Sequence, residues 1–142
     1  MIEAVTVCLR NYFNFSGRAA RPEFWWFVLF VVIASWLLSI ADYFVYKLTD
    51  LSAFNPYSTT VIDDETIWYD LTGGLLTEII TLALFFPQLS VSARRLHDRD
   101  HSAWWLLLIF VPILGWLVLL VWYVLPGTPG DNRFGPDPRS LP

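Results

Sequence analysis

Three long apolar runs alternate with shorter polar segments along the chain. Residues 24–46 carry one charge, Asp42, and residues 71–93 carry one charge, Glu78. Residues 103–125 carry none. A helix needs about 20 residues to cross a hydrocarbon core of about 30 Å. The pattern therefore predicts an all-α membrane protein in which each of these runs forms one transmembrane helix, about three in total.

The N-terminal segment has a different pattern. Ile2, Val5 and Leu9 recur at helical spacing, whereas Glu3 and Arg10 occupy the other side. This periodicity predicts an amphipathic helix over residues 2–15. Such a helix either lies in the headgroup layer with its apolar face inward or packs against the transmembrane helices.

The third run is ambiguous because Pro112 and Gly115 lie in its middle. A turn there would fold residues 103–125 into a re-entrant hairpin instead of one span. Unpaired backbone groups at mid-bilayer cost several kcal/mol each unless protein buries them. We therefore expect a full span, with the hairpin as the alternative.

Charge distribution predicts the orientation. Basic residues precede the first span and occupy the inner loop 94–102, whereas the loop 47–70 is acidic. Because arginine and lysine are retained on the cytoplasmic side, the N-terminus is expected to be cytoplasmic in a multi-pass membrane protein. A full third span places the tail 126–142 outside, and the hairpin places it inside.

Composition agrees with a membrane location. Of the 142 residues, 56% are apolar and 15% are charged, against about 25% charged in soluble domains. The lone cysteine, Cys8, excludes an intramolecular disulfide and favours an apolar packing role. The tail is rich in Pro and Gly, so it is either an ordered run of turns or a flexible linker.

Two carboxylates fall within the apolar runs, where ionisable groups are costly and usually functional. Asp42 and Glu78 are predicted at similar depths near the outer ends of their helices. They either share a proton or cation, which would indicate an ion pathway, or reach the outer interface as structural groups.

A second group of polar residues lies at the end of the second run. His97 and His101 are four residues apart, a spacing that places two imidazoles on one helix face. A metal would need a further ligand, with Asp98 nearby. Arginines and histidines at a helix C-terminus are also common electrostatic anchors. No metal or cofactor is predicted.

Four motifs occur in order: FSGRAARPEFWW at 15–26, RRLHD at 94–98, SAWW at 102–105 and PGTPGDNRFGPDP at 126–138. With this spacing the chain resembles the small bacterial inner-membrane proteins of domain-of-unknown-function family 805. The resemblance implies a helical bundle in the bacterial inner membrane and implies no activity. It also motivates a hypothesis that Arg18 or Arg21 pairs with Asp98.

The sequence favours a non-enzymatic interaction or membrane-organising protein. The alternatives are an ion pathway or small transporter, and a metal-binding or enzymatic protein. The expected partners are the lipid bilayer and either another membrane protein or a second copy of the chain, with no nucleic acid. The candidate functional or structural residues are Arg18, Arg21, Glu23, Asp42, Glu78, Arg94, Arg95, His97, Asp98 and Asn132.

Overall fold

The structure is a computed structural model that describes residues 2–49 and 75–140. Most of the predicted acidic loop 47–70 lies outside these residues. The described helices are α1 (Ile2–Arg10), α2 (Arg21–Thr49), α3 (Leu75–His97), a 3-10 helix (Ala103–Phe110) and α4 (Leu114–Val124). Over the same residues there is no β-strand beyond one isolated bridge between Asn132 and Gly135. The predicted all-α class is confirmed.

Two helices are long and apolar enough to cross a bilayer, within Arg21–Asp42 and Leu76–His97. Pro22 and Glu23 lie in the first turn of α2, where proline loses no helical hydrogen bond and a carboxylate is stabilised by the positive end of the helix dipole. The second helix continues further than predicted. Arg94, Arg95 and His97 belong to the last turn of α3, so the predicted basic loop 94–102 begins only at Asp98.

The chain divides into two compact units. The first, Met1–Val28 with Phe86–Pro142, contains α1, the start of α2, the end of α3 and everything that follows α3. The second, Leu29–Phe85, contains the remaining parts of α2 and α3. The buried apolar residues of the first unit include Cys8, Phe24, Phe27, Val91, Leu96 and Leu119.

α1 is shorter than the predicted helix over residues 2–15. It ends at Arg10, and residues 11–13 form a turn. The Asn14 amide donates to the Asn11 side chain (2.9 Å), and the Asn14 side chain accepts from the Ser16 backbone. Asparagine side chains compete in this way for backbone groups that a helix would otherwise use. The turn also docks on α3, because Ser90 Oγ donates to the carbonyls of Asn11 and Asn14.

Residues 103–125 do not form the single continuous helix that we expected; they fold into a hairpin. The 3-10 helix and α4 lie side by side, and Trp122 contacts the rings of His101 and Trp105 at centroid distances of 4.2 and 5.3 Å. With 8 and 11 residues, both arms are about 16 Å long at ~2.0 and ~1.5 Å per residue. Each arm of the hairpin (Ala103–Val124) is therefore roughly half as long as a hydrocarbon core of about 30 Å is thick.

The tip of the hairpin explains why the expected backbone cost does not prevent it. The Leu114 N–H donates to the Pro112 carbonyl (2.8 Å), and the Gly115 N–H donates to the Val111 carbonyl (3.0 Å). Ile113 at the centre has φ 64° and ψ −68°, a rare and strained γ-turn conformation. The indole N–H of Trp116 donates to the Ile109 carbonyl (2.8 Å). Several polar backbone groups near the tip are thus paired within the hairpin.

Candidate functional site

A buried ion pair joins the segment before α2 to the end of α3. Arg18 Nε and Nη2 donate to Asp98 Oδ1 at 3.0 and 2.9 Å. The exposed fractions of the two side chains are 1% and 5%. Arg18 is placed there by the backbone, because the N–H of the next residue, Ala19, donates to the Arg94 carbonyl (3.0 Å). The predicted pairing of Arg18 with Asp98 is confirmed.

Arg95 occupies the other oxygen of the same carboxylate. Its Nη1 donates to Asp98 Oδ2, three residues later on the chain, and its side chain is 0% exposed. The remaining donors reach the end of α4: Nε and Nη2 bond the Tyr123 carbonyl (3.2 Å each), and Nη2 also bonds the Leu125 carbonyl. The last carbonyls of a helix lack partners within that helix. Arg95 therefore caps the hairpin and holds its exit against the end of α3.

The arginine–aspartate cluster, Arg18, Arg95 and Asp98, contains two buried guanidinium groups and one carboxylate. The excess positive charge is offset by backbone carbonyl oxygens. Those around Arg95 come from the C-terminal end of α4, where the helix dipole is negative. An arginine can satisfy such an arrangement because its planar group has five donors and stays charged when buried.

The tail completes the cluster and is ordered by it. Arg18 Nη1 donates to the Gly130 carbonyl (2.6 Å), and Nη2 donates to the Thr128 carbonyl (2.7 Å). In return, the Thr128 N–H donates to the Asp98 carbonyl (2.8 Å). These bonds decide between the two sequence interpretations of the tail in favour of ordered turns.

His97 and Asn132 fasten the next part of the tail. The His97 ring stacks on Phe134 with centroids 4.0 Å apart and planes 2° from parallel, and its Nδ1 lies 3.1 Å from the Gly17 carbonyl oxygen. The Asn132 amide donates to the His97 carbonyl (2.9 Å), while its oxygen accepts from the Phe134 N–H. The tail residue that the sequence singled out, Asn132, thus closes a turn against the end of α3.

Asp137 connects two parts of the tail through hydrogen bonds. Its carboxylate accepts from the Gly130 N–H (3.1 Å) and from Arg139 Nε and Nη2 (2.9 and 2.7 Å). These Arg139 hydrogen bonds, together with the Gly130 amide, hold the pKa of Asp137 well below its usual range. The pKa of Arg139 is correspondingly raised by Asp137.

Glu23 and Arg94 form a second ion pair beside α1. Arg94 Nη1 donates to Glu23 Oε1 (2.7 Å), and both side chains are largely buried. The Cys8 thiol points at the same carboxylate, with Sγ 3.8 Å from Glu23 Oε1. Burial, and then the charge of Glu23, raise the pKa of Cys8 to about 12. Cys8 is therefore a neutral packing residue, as its apolar sequence neighbours predict.

We expect Cys8 to resist alkylation in the folded protein. Only the thiolate reacts, and a pKa raised from 9.0 to about 12 lowers the thiolate fraction near pH 8 by about a thousandfold. The measurement is the rate of maleimide labelling in detergent, before and after denaturation. Ser140→Cys in a Cys8→Ala background is the exposed control and should react at the rate of a free thiol. Equal rates for the two thiols in the folded protein would contradict the buried position of Cys8.

The two carboxylates predicted within the membrane lie in the second unit. Asp42 accepts from the backbone N–H groups of Leu76 (3.1 Å) and Thr77 (2.9 Å) and from the Thr77 hydroxyl (2.7 Å). It therefore caps the N-terminus of α3, although it belongs to α2. Glu78 lies in the first turn of α3 with an exposed side chain. The cap supports the structural interpretation of Asp42 over the shared proton or cation that an ion pathway would require.

Asp42→Ala is expected to destabilise the protein by about 1–2 kcal/mol, because a lost N-cap leaves helix N–H groups unpaired. Glu78→Ala, at an exposed position in the same first turn of α3, should change stability by less than about 0.5 kcal/mol. Thermal unfolding of both variants in the same detergent measures the difference. An Asp42→Ala variant as stable as Glu78→Ala would refute the capping role.

The two histidines do not share a helix face. α3 ends at His97, and His101 lies beyond the turn, where its ring packs edge-on against Trp122. In residues 2–49 and 75–140, no three His, Cys, Asp or Glu side chains are grouped so as to hold a metal ion. The shared helix face that the spacing of four residues predicts for the two imidazoles is therefore not formed.

Of the ten candidate residues, Arg18, Glu23, Arg94, Arg95, His97, Asp98 and Asn132 are engaged in these contacts around the end of α3. Arg21 reaches the same region, with Nη1 3.4 Å from the Val124 carbonyl. The sequence did not single out Ser90 or Thr128, whose hydroxyls bond backbone carbonyls. A serine within an apolar helix is too common to have indicated such a role.

The fold and the cluster define an α-helical membrane protein in which an arginine–aspartate cluster anchors a helical hairpin. The chain matches the family described as "Protein of unknown function (DUF805)" over residues 12–136, and it belongs to that family. It is 40% identical to "Inner membrane protein YhaH" of Escherichia coli K12 over 94% of both chains. It is 39% identical to "Inner membrane protein YhaI" of the same strain over 92% of this chain and 91% of that one. No solved structure matches the chain.

Proposed function

We propose that this protein is a non-enzymatic, multi-pass protein of the bacterial inner membrane that organises other membrane components around its hairpin. Its relatives are named as inner-membrane proteins. The observation that carries the proposal is the use of the polar residues. Arg18, Arg95 and Asp98 are buried and bonded to one another and to backbone carbonyls, so their chemistry serves to hold the hairpin in place.

The hairpin offers an apolar surface rather than a reactive one. Its side chains at Trp104 and Phe110 are 78% and 79% exposed, and Leu114 and Trp116 are also exposed. Large aromatic side chains are enriched where proteins bind one another. A rigidly held hairpin at half-bilayer depth supports binding of another membrane protein or of a second copy of this chain.

A photo-crosslinking amino acid at Trp104 or Phe110 in living bacteria tests this function. We expect discrete protein adducts, identified by mass spectrometry as one defined membrane protein or as the chain itself. The same amino acid at Trp36, on α2 outside the hairpin, is the control and should give a different or weaker pattern. Adducts to lipid alone at both hairpin positions would contradict an organising role.

The proposed topology places both termini in the cytoplasm. Because the hairpin returns to the end of α3, it brings Arg133 and Arg139 to the side that carries Arg18 and Arg95, which strengthens the charge asymmetry. In a Cys8→Ala background, Ser140→Cys should react with a membrane-impermeant reagent only after spheroplasts are lysed. Ser58→Cys, in the acidic loop, should react in intact spheroplasts. The reverse pattern would contradict this topology.

A further inference from the structure

We propose that Arg21 and Arg99 form a binding site for the phosphate of an anionic phospholipid at the base of the hairpin. Both arginines reach the C-terminal end of α4 and the residues that follow it. Arg21 Nη1 lies 3.4 Å from the Val124 carbonyl oxygen, and Arg99 Nη1 lies 3.0 Å from the Pro126 carbonyl oxygen. The two guanidinium groups therefore contact carbonyl oxygens that are only two residues apart in the chain.

The electrostatics of this position are unbalanced. Arg94, Arg133 and Arg139 each have a carboxylate partner of their own, namely Glu23, Asp100 and Asp137. Among residues 2–49 and 75–140, neither Arg21 nor Arg99 forms an ion pair, and the nearby carboxylate of Asp98 is already shared by Arg18 and Arg95. The positive charges of both arginines also repel that of Arg95. The base of the hairpin thus carries positive charge that no described side chain neutralises.

Donors remain for a ligand. The Arg21 side chain is exposed and makes one long hydrogen bond, so most of its N–H groups are available. Arg99 is half-buried: its Nη1 bonds the Pro126 carbonyl, and its Nε is enclosed by protein without an acceptor in the described part of the chain, so a ligand would meet its remaining N–H groups. Arginine presents its donors in a planar fork that matches two oxygens of a phosphate group. The free donors and the uncompensated charge both indicate a phosphate-bearing anion.

The surroundings favour a lipid over a free phosphate ion. Val118, Val121 and Leu125 are exposed and lie on one face of α4 and its continuation, at positions i, i+3 and i+7. This apolar stripe runs from the two arginines towards the hairpin tip, along the path of an acyl chain. Trp25, one turn after Arg21 in α2, is also exposed, and tryptophan prefers the headgroup depth. The site goes beyond the proposed organising function, which does not depend on it.

The test uses the full-length protein in detergent and native mass spectrometry with added phosphatidylglycerol, phosphatidylethanolamine or inorganic phosphate. We expect retained phosphatidylglycerol in the wild type and about a tenfold to thirtyfold weaker affinity in Arg21→Gln/Arg99→Gln. The matched control Arg10→Gln/Arg133→Gln removes the same charge at exposed positions and should bind as the wild type does. Arg21→Gln alone, at an exposed position, should keep the fold and show part of the loss.

Three results would overturn the proposal. Equal retention of phosphatidylglycerol and phosphatidylethanolamine would remove the anionic selectivity. Unchanged binding in the folded Arg21→Gln variant and in the double variant would remove the site. Displacement of the lipid by millimolar inorganic phosphate would indicate a general anion site rather than a lipid site. None of these results bears on the protein adducts that test the proposed function, so the two proposals can fail separately.

Discussion

Asp98→Asn is expected to destabilise the protein by about 3–5 kcal/mol, the usual cost of removing one partner from a buried ion pair. The carboxylate accepts hydrogen bonds from Arg18 on one oxygen and from Arg95 on the other. Without its charge, two buried guanidinium groups would face each other with carbonyl oxygens as their only compensation. The tail and the hairpin exit, which these arginines hold, should detach together.

The effect of Asp98→Asn is measured by thermal unfolding in detergent, followed by near-ultraviolet circular dichroism. Asp100→Asn is the matched control because Asp100 also pairs with an arginine, Arg133, but with side chains 48% and 62% exposed. Its expected cost is below about 1 kcal/mol. Thr128→Val is a milder probe of the same cluster, since it removes a hydroxyl that donates to the Asp98 carbonyl (3.1 Å). Equal unfolding temperatures for Asp98→Asn and Asp100→Asn would show that the cluster does not hold the fold together.

Gly115→Ala is expected to open the hairpin, at a cost of about 3 kcal/mol, the upper part of the range for overpacking. A Cβ at residue 115 would lie 1.9 Å from the Leu108 carbonyl oxygen and 3.1 Å from Val111 Cβ. The first obstacle is backbone, so no side-chain rotation relieves it. The two arms must separate, and the contact between Trp105 and Trp122 should be lost.

The opening of the hairpin is followed by tryptophan fluorescence and by thermal unfolding. Leu117→Ala, two residues further along α4, is the control. Leu117 is exposed on the hairpin, so its truncation creates no cavity and should leave the unfolding temperature nearly unchanged. A Gly115→Ala variant with the fluorescence and stability of the Leu117→Ala variant would refute the close approach of the two arms.

The long helices could be predicted from the sequence because their determinants are local. Runs of apolar residues specify α2 and α3, and Pro22 with Glu23 indicates where α2 begins. The pairing of Arg18 with Asp98 could also be predicted, because the charge distribution places both segments at one face of the membrane. An unpaired charge near hydrocarbon has a high free-energy cost, and an arginine and an aspartate in these two segments have few other partners.

The hairpin could not be chosen from the sequence because length and hydropathy are the same for one span of 23 residues and for two arms of half that length. Pro112 and Gly115 marked the turn, but the estimated backbone cost argued against it. That cost is reduced by bonds that depend on the folded hairpin, such as the indole N–H of Trp116 on the Ile109 carbonyl. Arg95 illustrates the same limit, since its acceptors on Tyr123 and Leu125 exist only once the hairpin has formed.

Residue spacing gave a wrong prediction where a helix ended before the residues whose spacing was used. His97 and His101 share a face only if the helix continues, and α3 stops at His97. The capping of α3 by Asp42 could not be predicted because the contact is not local. Its acceptor and donors are 34 and 35 residues apart, so no local motif connects them.

The acceptors that complete Arg18 lie on Thr128 and Gly130, 110 and 112 residues later in the chain. During synthesis, Arg18, Arg95 and Asp98 therefore meet before most of their backbone partners have been made. The two long helices are made first, and the contacts of the tail with Arg18 can form only after translation has passed Gly130. A nascent chain stalled before residue 126 would carry the charges of the cluster but would lack the carbonyl oxygens of Thr128 and Gly130, which leaves donors of the buried Arg18 guanidinium without acceptors.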